Sequence, residues 1–210
     1  GFQERHGITV VHAWGMTEMS PLGTVSRVTA ELADESADVR YAVRAKQGQA
    51  APLLEFRSRS LDGLAPWDAE AMGELEVRGP WVARSYYESA EGRERWTDDG
   101  WFRTGDIVTI DRYGYVDIQD RTRDLIKSGG EWISSVALEN ALMGHPAVAE
   151  AAVIGVPDER WGESVKAVVV LRAGAEASAD ELIAFARDRL AHYKAPKTVE
   201  NFLAYVRKGH

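Results

Sequence analysis

The stretch GDIVTIDRYGYVDIQDRTRDLIKSGGEW, residues 105–132, decides how the chain is organised. Its first half holds two apolar-alternating runs, Ile107 to Asp111 and Tyr115 to Ile118, around a turn containing Gly114, which is the pattern of a β-hairpin. After Asp120 the character changes: charged residues crowd toward a Gly pair at 129–130, and a strand-then-helix pattern follows. A boundary is therefore expected at residues 120–123, dividing a β-rich part, residues 1–120, from a small α+β part, residues 121–210.

Working outward, Ile8 to Ala13 is β-branched enough for a strand, and residues 28–50 are polar enough for a short helix and a connector. PLLEFRSRS (52–60) and GELEVRGPWVARSYY (73–87) read as strands separated by turn-rich residues 62–73. Downstream, Ser134 or Ser135 can cap a helix whose Leu138, Ala141 and Leu142 share one face, stopped by GHP at 144–146. Two strands follow, VAEAAVIGV (148–156) and SVKAVVVLR (164–172). Ser178 and Glu181 form a capping box for a last helix with Leu182, Phe185, Ala186 and Leu190 on one face and Pro196 beyond its end.

The composition is that of a globular protein: 210 residues, 45% hydrophobic and 28% charged. A formal net charge of −8 argues against broad electrostatic binding to nucleic acid or an anionic membrane, and favours small-molecule partners. The absence of cysteine excludes disulfides, thiolate metal sites and cysteine nucleophiles, and permits a reducing cytoplasm, the location expected here. No apolar run approaches a membrane span. The opening GFQERHGITVV starts with Gly1 and enters what reads as a helix end followed by a strand, so a piece of a larger domain is expected.

Three segments carry residues suited to chemistry. WGMTE, residues 14–18, places an aromatic ring, a hydroxyl and a carboxylate together, although a Trp packed in a core beside an exposed Thr-Glu reads the same way. In GWFRTGD, residues 100–106, Asp106 could accept hydrogen bonds from vicinal hydroxyls such as those of a ribose, or simply satisfy turn amides. Arg121 and Arg123 face one side of an extended segment and could share one polyanion, or one of them could pair with a carboxylate. Gly129 and Gly130 would let a backbone or thin ligand pass closely; a solvated linker would have the same composition.

The order of these pieces carries a resemblance. WGMTE, GELEVRGPWVARSYY, DDGWFRTGD, YGYVDIQDRTRDLIKSGGEWIS, LENALMGHPAVAEAAVIGVPDERWGE and HYKAPKTVE match, in order, successive motifs of the adenylate-forming superfamily. That superfamily contains acyl-CoA synthetases, firefly luciferases and the adenylation domains of peptide synthetases. VVHAWGMTEMSPLGTVS and SGGEWISSVALENAL most resemble medium- and long-chain fatty acyl-CoA ligases.

The resemblance implies an α/β (α+β) fold, with the β-rich end of a large AMP-binding domain followed by a small C-terminal lid. It implies an acid–thiol ligase that uses ATP, Mg²⁺ and coenzyme A, first forming an acyl-adenylate from a fatty acid and then the thioester. By motif, Trp14 would lie against the adenine with Gly15 and Met16 beside it, Thr17 would hydrogen-bond a phosphate, and Glu18 would hold Mg²⁺. Thr17 and Glu18 would thus be catalytic, Asp106 and Arg121 would hold the ribose, and Arg123 would be the hinge. Gly129, Gly130 and Glu131 would line the coenzyme A passage. A homodimer is compatible with this reading.

The departures are equally specific. The superfamily's Gly-rich phosphate loop lies upstream of the matched region and does not occur in these residues, so the missing N-terminal portion would be a necessary partner. Its C-terminal PKTxxGK-like lysine motif is followed only to about Glu200, and Lys208 sits in a different context. Alternatives are an aryl or amino acid activator of the same fold, or a non-catalytic AMP- or CoA-binding remnant.

Overall fold

The hairpin at 107–118 forms, and it is longer than its pattern. In the computed structural model, which describes residues 2–88, 92–190 and 203–208, β7 (Phe102–Ile110) and β8 (Val116–Arg121) are neighbouring strands of one sheet. Asp111 closes the turn between them: its Oδ1 accepts from the N–H groups of Tyr113 at 2.9 Å and Tyr115 at 3.0 Å, and Gly114 adopts φ +81°. The chain divides into two compact units, residues 1–119 and 120–210.

In the first unit a five-stranded sheet runs in the order β5-β4-β6-β7-β8, with β4 at Glu55–Ser60, β5 at Gly63–Leu64 and β6 at Gly73–Arg78. Alternation divides its faces: Phe56, Leu75 and Val77 point to the core, while Arg57, Arg59, Glu74 and Glu76 line the opposite face. A second sheet of three strands, β1 (Ala13–Gly15), β2 (Leu22–Val25) and β3 (Gln49–Ala50), is antiparallel throughout. Buried Met19, Leu54, Leu75, Val77, Phe102, Val108, Ile110 and Val116 form the core. α1 (Phe2–His6) is a short opening helix. Within residues 28–50, the helix α2 (Ala37–Ala45) starts at Ser36, whose Oγ accepts from Val39 N–H at 3.3 Å. Tyr115, fully buried, packs with Leu32 and Val43 and donates its hydroxyl to the Arg27 carbonyl.

Two expected strands are corrected. Residues 8–12 are in no strand, and the ladder begins only at Ala13. Ile8 and Val10 remain 54% and 55% exposed: a β-branched run becomes a strand only where a neighbouring strand accepts its hydrogen bonds. β6 ends at Arg78, because Gly79 and Pro80 turn the chain and Val82 N–H bonds back to the Gly79 carbonyl at 3.2 Å.

The second unit is a sheet ordered β10-β9-β12-β11, with a further strand beside β12 and two helices. The strands are β9 (Ile126–Ser128), β10 (Glu131–Ile133), β11 (Val148–Asp158) and β12 (Gly162–Leu171). β13 (Leu203–Lys208) pairs parallel to β12, whereas β9 with β10, β11 with β12 and β12 with β9 pair antiparallel. Ser134 is the cap of α3 (Ser135–Met143), its Oγ accepting from Ala137 N–H at 3.1 Å. Asp120 adds to that cap: its Oδ2 accepts from the N–H and Oγ of Ser135 at 2.7 and 3.1 Å. α4 (Ala179–Leu190) begins after Ser178, whose Oγ accepts from Glu181 N–H at 3.2 Å. Glu181 reaches His145 at 3.7 Å. Leu138, Leu142, Leu182 and Ala186 meet Val148, Val153, Val165, Ala167 and Val169 in the core. Residues 192–200, with HYKAPKTVE and Pro196, lie outside the described residues. Among the described residues no helix is long and apolar enough to cross a membrane. The whole is a mixed α/β chain with mostly antiparallel sheets.

Candidate functional site

The segment 14–23 is a tight loop built on close approaches. Trp14 and Gly15 pair with β2, a 3₁₀ turn covers Thr17–Met19, and Met16 N–H returns to the Pro21 carbonyl at 2.8 Å. A side chain at Gly15 would come within 1.8 Å of that carbonyl, so only glycine fits there. Gly23 leaves room for the Trp14 ring, whose Cζ3 would lie 2.7 Å from an added Cβ. Trp14 is half-buried, meeting Phe56 edge-on at 6.4 Å between ring centroids, and Met16 packs against the same core. Thr17 is exposed.

Glu18 is held at both ends. Its carbonyl accepts from Ala83 N–H at 2.8 Å, and its Oε1 accepts from the Tyr86 hydroxyl at 2.6 Å. The hydrogen bond to Glu18 pushes the Tyr86 phenol above its usual range, because the bond is lost with the proton, and burial and the carboxylate charge add to the shift. Tyr86 packs edge-on against Trp96 at 5.3 Å, and Trp96 Nε1 donates to the Ala83 carbonyl at 2.9 Å. Gly92 leaves space for the Tyr86 ring: a Cβ there would lie 2.4 Å from Cδ2.

Asp106 sits on a β-bulge. Between β6 and β7 the register shifts from Glu76↔Arg103 to Glu74↔Ile107, so Thr104, Gly105 and Asp106 bulge out of the ladder. Gly105 takes φ +78°, a conformation suited to glycine. The Thr104 hydroxyl accepts from Asp106 N–H at 3.1 Å and donates to the Leu75 carbonyl at 2.9 Å. Arg95 Nη2 donates to the Thr104 carbonyl at 3.0 Å. Asp106 is thereby buried on a stiff backbone. Beside it, burial pushes the Glu74 carboxyl up, with Arg103 and the Gly105 N–H offsetting part of the shift.

In the second unit Arg121 is exposed, its N–H donating to Asp120 Oδ1 at 2.7 Å. The Arg123 side chain is 86% exposed, with Nε 3.6 Å from Asp124. Gly129 and Gly130 form the two-residue turn of the β9–β10 hairpin, with φ of +59° and +84° and Ser128 opposite Glu131. That turn needs positive φ at both positions, which is reason enough for two glycines there. Gly129 N–H also bonds the Trp161 carbonyl at 2.9 Å, and Glu131 is exposed.

In the first unit, then, Trp14 to Glu18 form one loop, while Asp106 stands on the bulge of β7. Tyr86, Trp96, Thr104 and Glu74 carry no sequence signal for this role. Residues 18 and 86 are 68 positions apart, and only the folded chain relates them.

Known proteins give this arrangement a context. Residues 137–208 match the AMP-binding enzyme C-terminal domain. The 3-methylmercaptopropionyl-CoA ligase of Ruegeria pomeroyi is 43% identical over 199 residues, covering 94% of this chain and 36% of that protein. The long-chain-fatty-acid–CoA ligase of Thermus thermophilus is 47% identical over 181 residues, covering 85% of this chain and 33% of that protein. ATP-bound MatB from Rhodopseudomonas palustris has a similar structure, with a TM-score of 0.70 and 31% identity over 97% of this chain and 38% of MatB. The chain therefore spans about a third of the length of the relatives it matches. With its last third matching that domain and nearly its full length matching acid–CoA ligases, the chain belongs to the adenylate-forming family of AMP-binding enzymes, of which it covers the C-terminal part.

Proposed function

We propose that this chain serves an ATP-dependent acid–CoA ligase. In the first step a carboxylate oxygen attacks the α-phosphorus of ATP, breaking the α–β anhydride and releasing pyrophosphate. In the second, the coenzyme A thiol, losing its proton, attacks the acyl carbon and expels AMP. The observation that carries the reading is the doubly anchored Glu18, a preorganised carboxylate beside the exposed Thr17 hydroxyl.

Each residue has work it can do. Thr17 donates to a phosphate oxygen, Trp14 with Gly15 and Met16 offers the adenine an apolar wall, and Asp106 accepts from ribose hydroxyls. Glu18 would hold Mg²⁺. Among the described residues no group of three or more His, Cys, Asp or Glu could bind a metal, and a lone carboxylate fits Mg²⁺, which keeps its waters and shares substrate phosphates. Bound there, the cation would neutralise charge on the phosphates. In the second unit Arg121 is assigned to the nucleotide, Arg123 to the hinge, and Gly129, Gly130 and Glu131 to coenzyme A, the roles those motif positions have in the family.

The upstream portion belongs to the same proposal. The exposed run Ile8, Val10 and Val11 offers apolar side chains outside any strand, a face suited to covering by the preceding part of the family fold. The acid is read as a medium- or long-chain fatty acid, in line with the Thermus thermophilus relative. The 43% identity to a 3-methylmercaptopropionyl-CoA ligase favours a short thioether acid as the second reading. Pyrophosphate release should be measured with ATP, Mg²⁺ and a series of acids, using the chain joined to the upstream portion its relatives possess. Saturable release with aliphatic acids, followed by thioester formation on adding coenzyme A, is expected. No release with any acid refutes the reading.

A further inference from the structure

We infer that Tyr86 is a positioning residue for Glu18, fixing one carboxylate oxygen so that the other is left to face the Mg²⁺ that Glu18 would hold. The inference rests on the role proposed above for Glu18. A glutamate side chain has three rotatable bonds, and a catalytic carboxylate free to turn is a poor ligand. Here the phenol donates to Oε1 at 2.6 Å, a charge-assisted bond that selects one rotamer. Each acceptor oxygen retains lone pairs, and among the described residues no group donates to Oε2.

Tyr86 can do this only because its own ring is held. It lies against Trp96 at 5.3 Å, and Trp96 in turn lies 4.9 Å from the fully buried Phe102. Trp96 Nε1 holds the Ala83 carbonyl at 2.9 Å, and Ala83 N–H holds the Glu18 carbonyl at 2.8 Å. The contacts close a ring, from Glu18 to Ala83 to Trp96 to Tyr86 and back to Glu18. Such outer contacts orient a ligand and set its basicity, and their loss commonly weakens metal binding tenfold or more. The backbone leg, through Ala83, persists when the phenol is removed, so Tyr86→Phe should leave the loop in place and free only the carboxylate.

Two measurements test this. The first is an ultraviolet titration of tyrosine ionisation, taken as the difference between the protein and its Tyr86→Phe variant, in the Glu18 and Glu18→Gln backgrounds, with circular dichroism confirming the fold. The Tyr86 phenol should titrate above the ordinary value of about 10 and return toward it in Glu18→Gln. An identical difference curve in both backgrounds overturns the contact. The second is the Mg²⁺ dependence of ATP–pyrophosphate exchange, with the upstream portion supplied. Tyr86→Phe should raise the half-saturating Mg²⁺ concentration about tenfold, and should add nothing to the loss already caused by Glu18→Gln. An unchanged Mg²⁺ dependence overturns the positioning role. If Glu18→Gln moves the phenol but leaves exchange and its Mg²⁺ dependence intact, the contact is real and the metal assignment of Glu18 is the part that fails.

Discussion

Replacing Glu76 by alanine should be among the most damaging single changes in the first unit. Its side chain is 0% exposed, in the middle of β6, yet its carboxylate faces three guanidinium groups. Arg57 Nε bonds Oε2, while Arg59 Nε and Arg103 Nε stand 3.1 and 3.7 Å from Oε1. Arg57 and Arg103 are its register partners on the two flanking strands, so the charge sits where both ladders converge. Removing one member of a buried ion pair costs about 3–5 kcal/mol, because the remaining charge is stranded. Arg57 keeps Asp99 at 2.7 and 3.1 Å and the face of Trp101 at 4.3 Å, and Arg59 and Arg103 are exposed enough to rehydrate. The expected cost is therefore at the low end, about 3 kcal/mol, or roughly 10 °C in the melting of this unit. Glu76→Gln, which keeps an acceptor, should cost about half as much. The control is Glu55→Ala, which breaks a pair with Arg78 whose side chains are 45% and 59% exposed. It should cost below about 1 kcal/mol and lose its effect in high salt. Urea melts of the three variants at low and high salt measure this. A Glu76→Ala cost under about 1 kcal/mol, or one as salt-sensitive as the control, refutes the reasoning.

Leu53→Gly should stabilise the protein. Leu53 takes φ +71° in the turn Ala51–Leu54 and is 76% exposed, so glycine relieves about 1–2 kcal/mol of strain against about 0.5–1 of chain entropy; a lower urea midpoint would contradict this. Asp120→Ala deletes the acceptor of Ser135 N–H and Oγ and of Arg121 N–H, and should cost the second unit about 2 kcal/mol. Hydrogen exchange at the first turn of α3 reads it, and unchanged protection there counts against the cap. The Asp158 carboxyl is held below its usual range by Ser164 and the N–H groups of Trp161 and Arg160. Its contribution is therefore present above the unfolded value of about 3.9 and lost as pH falls toward the depressed folded value. Asp158→Asn should flatten the stability profile in that acid window, and an unaltered slope would exclude the linkage.

Much of the fold was legible because local rules coincide with tertiary ones. The hairpin around Gly114, the cap at Ser134 and the faces of α3 and α4 each follow from periodicity and capping within a few residues. The strand expected at Ile8 to Ala13 failed for the opposite reason: a strand is a pairing, and its partner is not encoded in its own residues. GPWVARSYY failed likewise, since Gly79 and Pro80 end β6 and release the chain toward Glu18.

The candidate site divides along the same line. WGMTE, RTGD and SGGE are contiguous, so the residue types and the adenylate-forming resemblance were readable directly from the chain. What the tertiary structure decided is how those residues are held: the Tyr86 bond to Glu18, the Trp96 bond to Ala83, the bulge that buries Asp106 and the arginines around Glu76. These contacts join positions from 13 to 68 residues apart. No periodicity spans such distances, and the partners become neighbours only when β4, β6 and β7 close the sheet and bury the core that fixes their side chains.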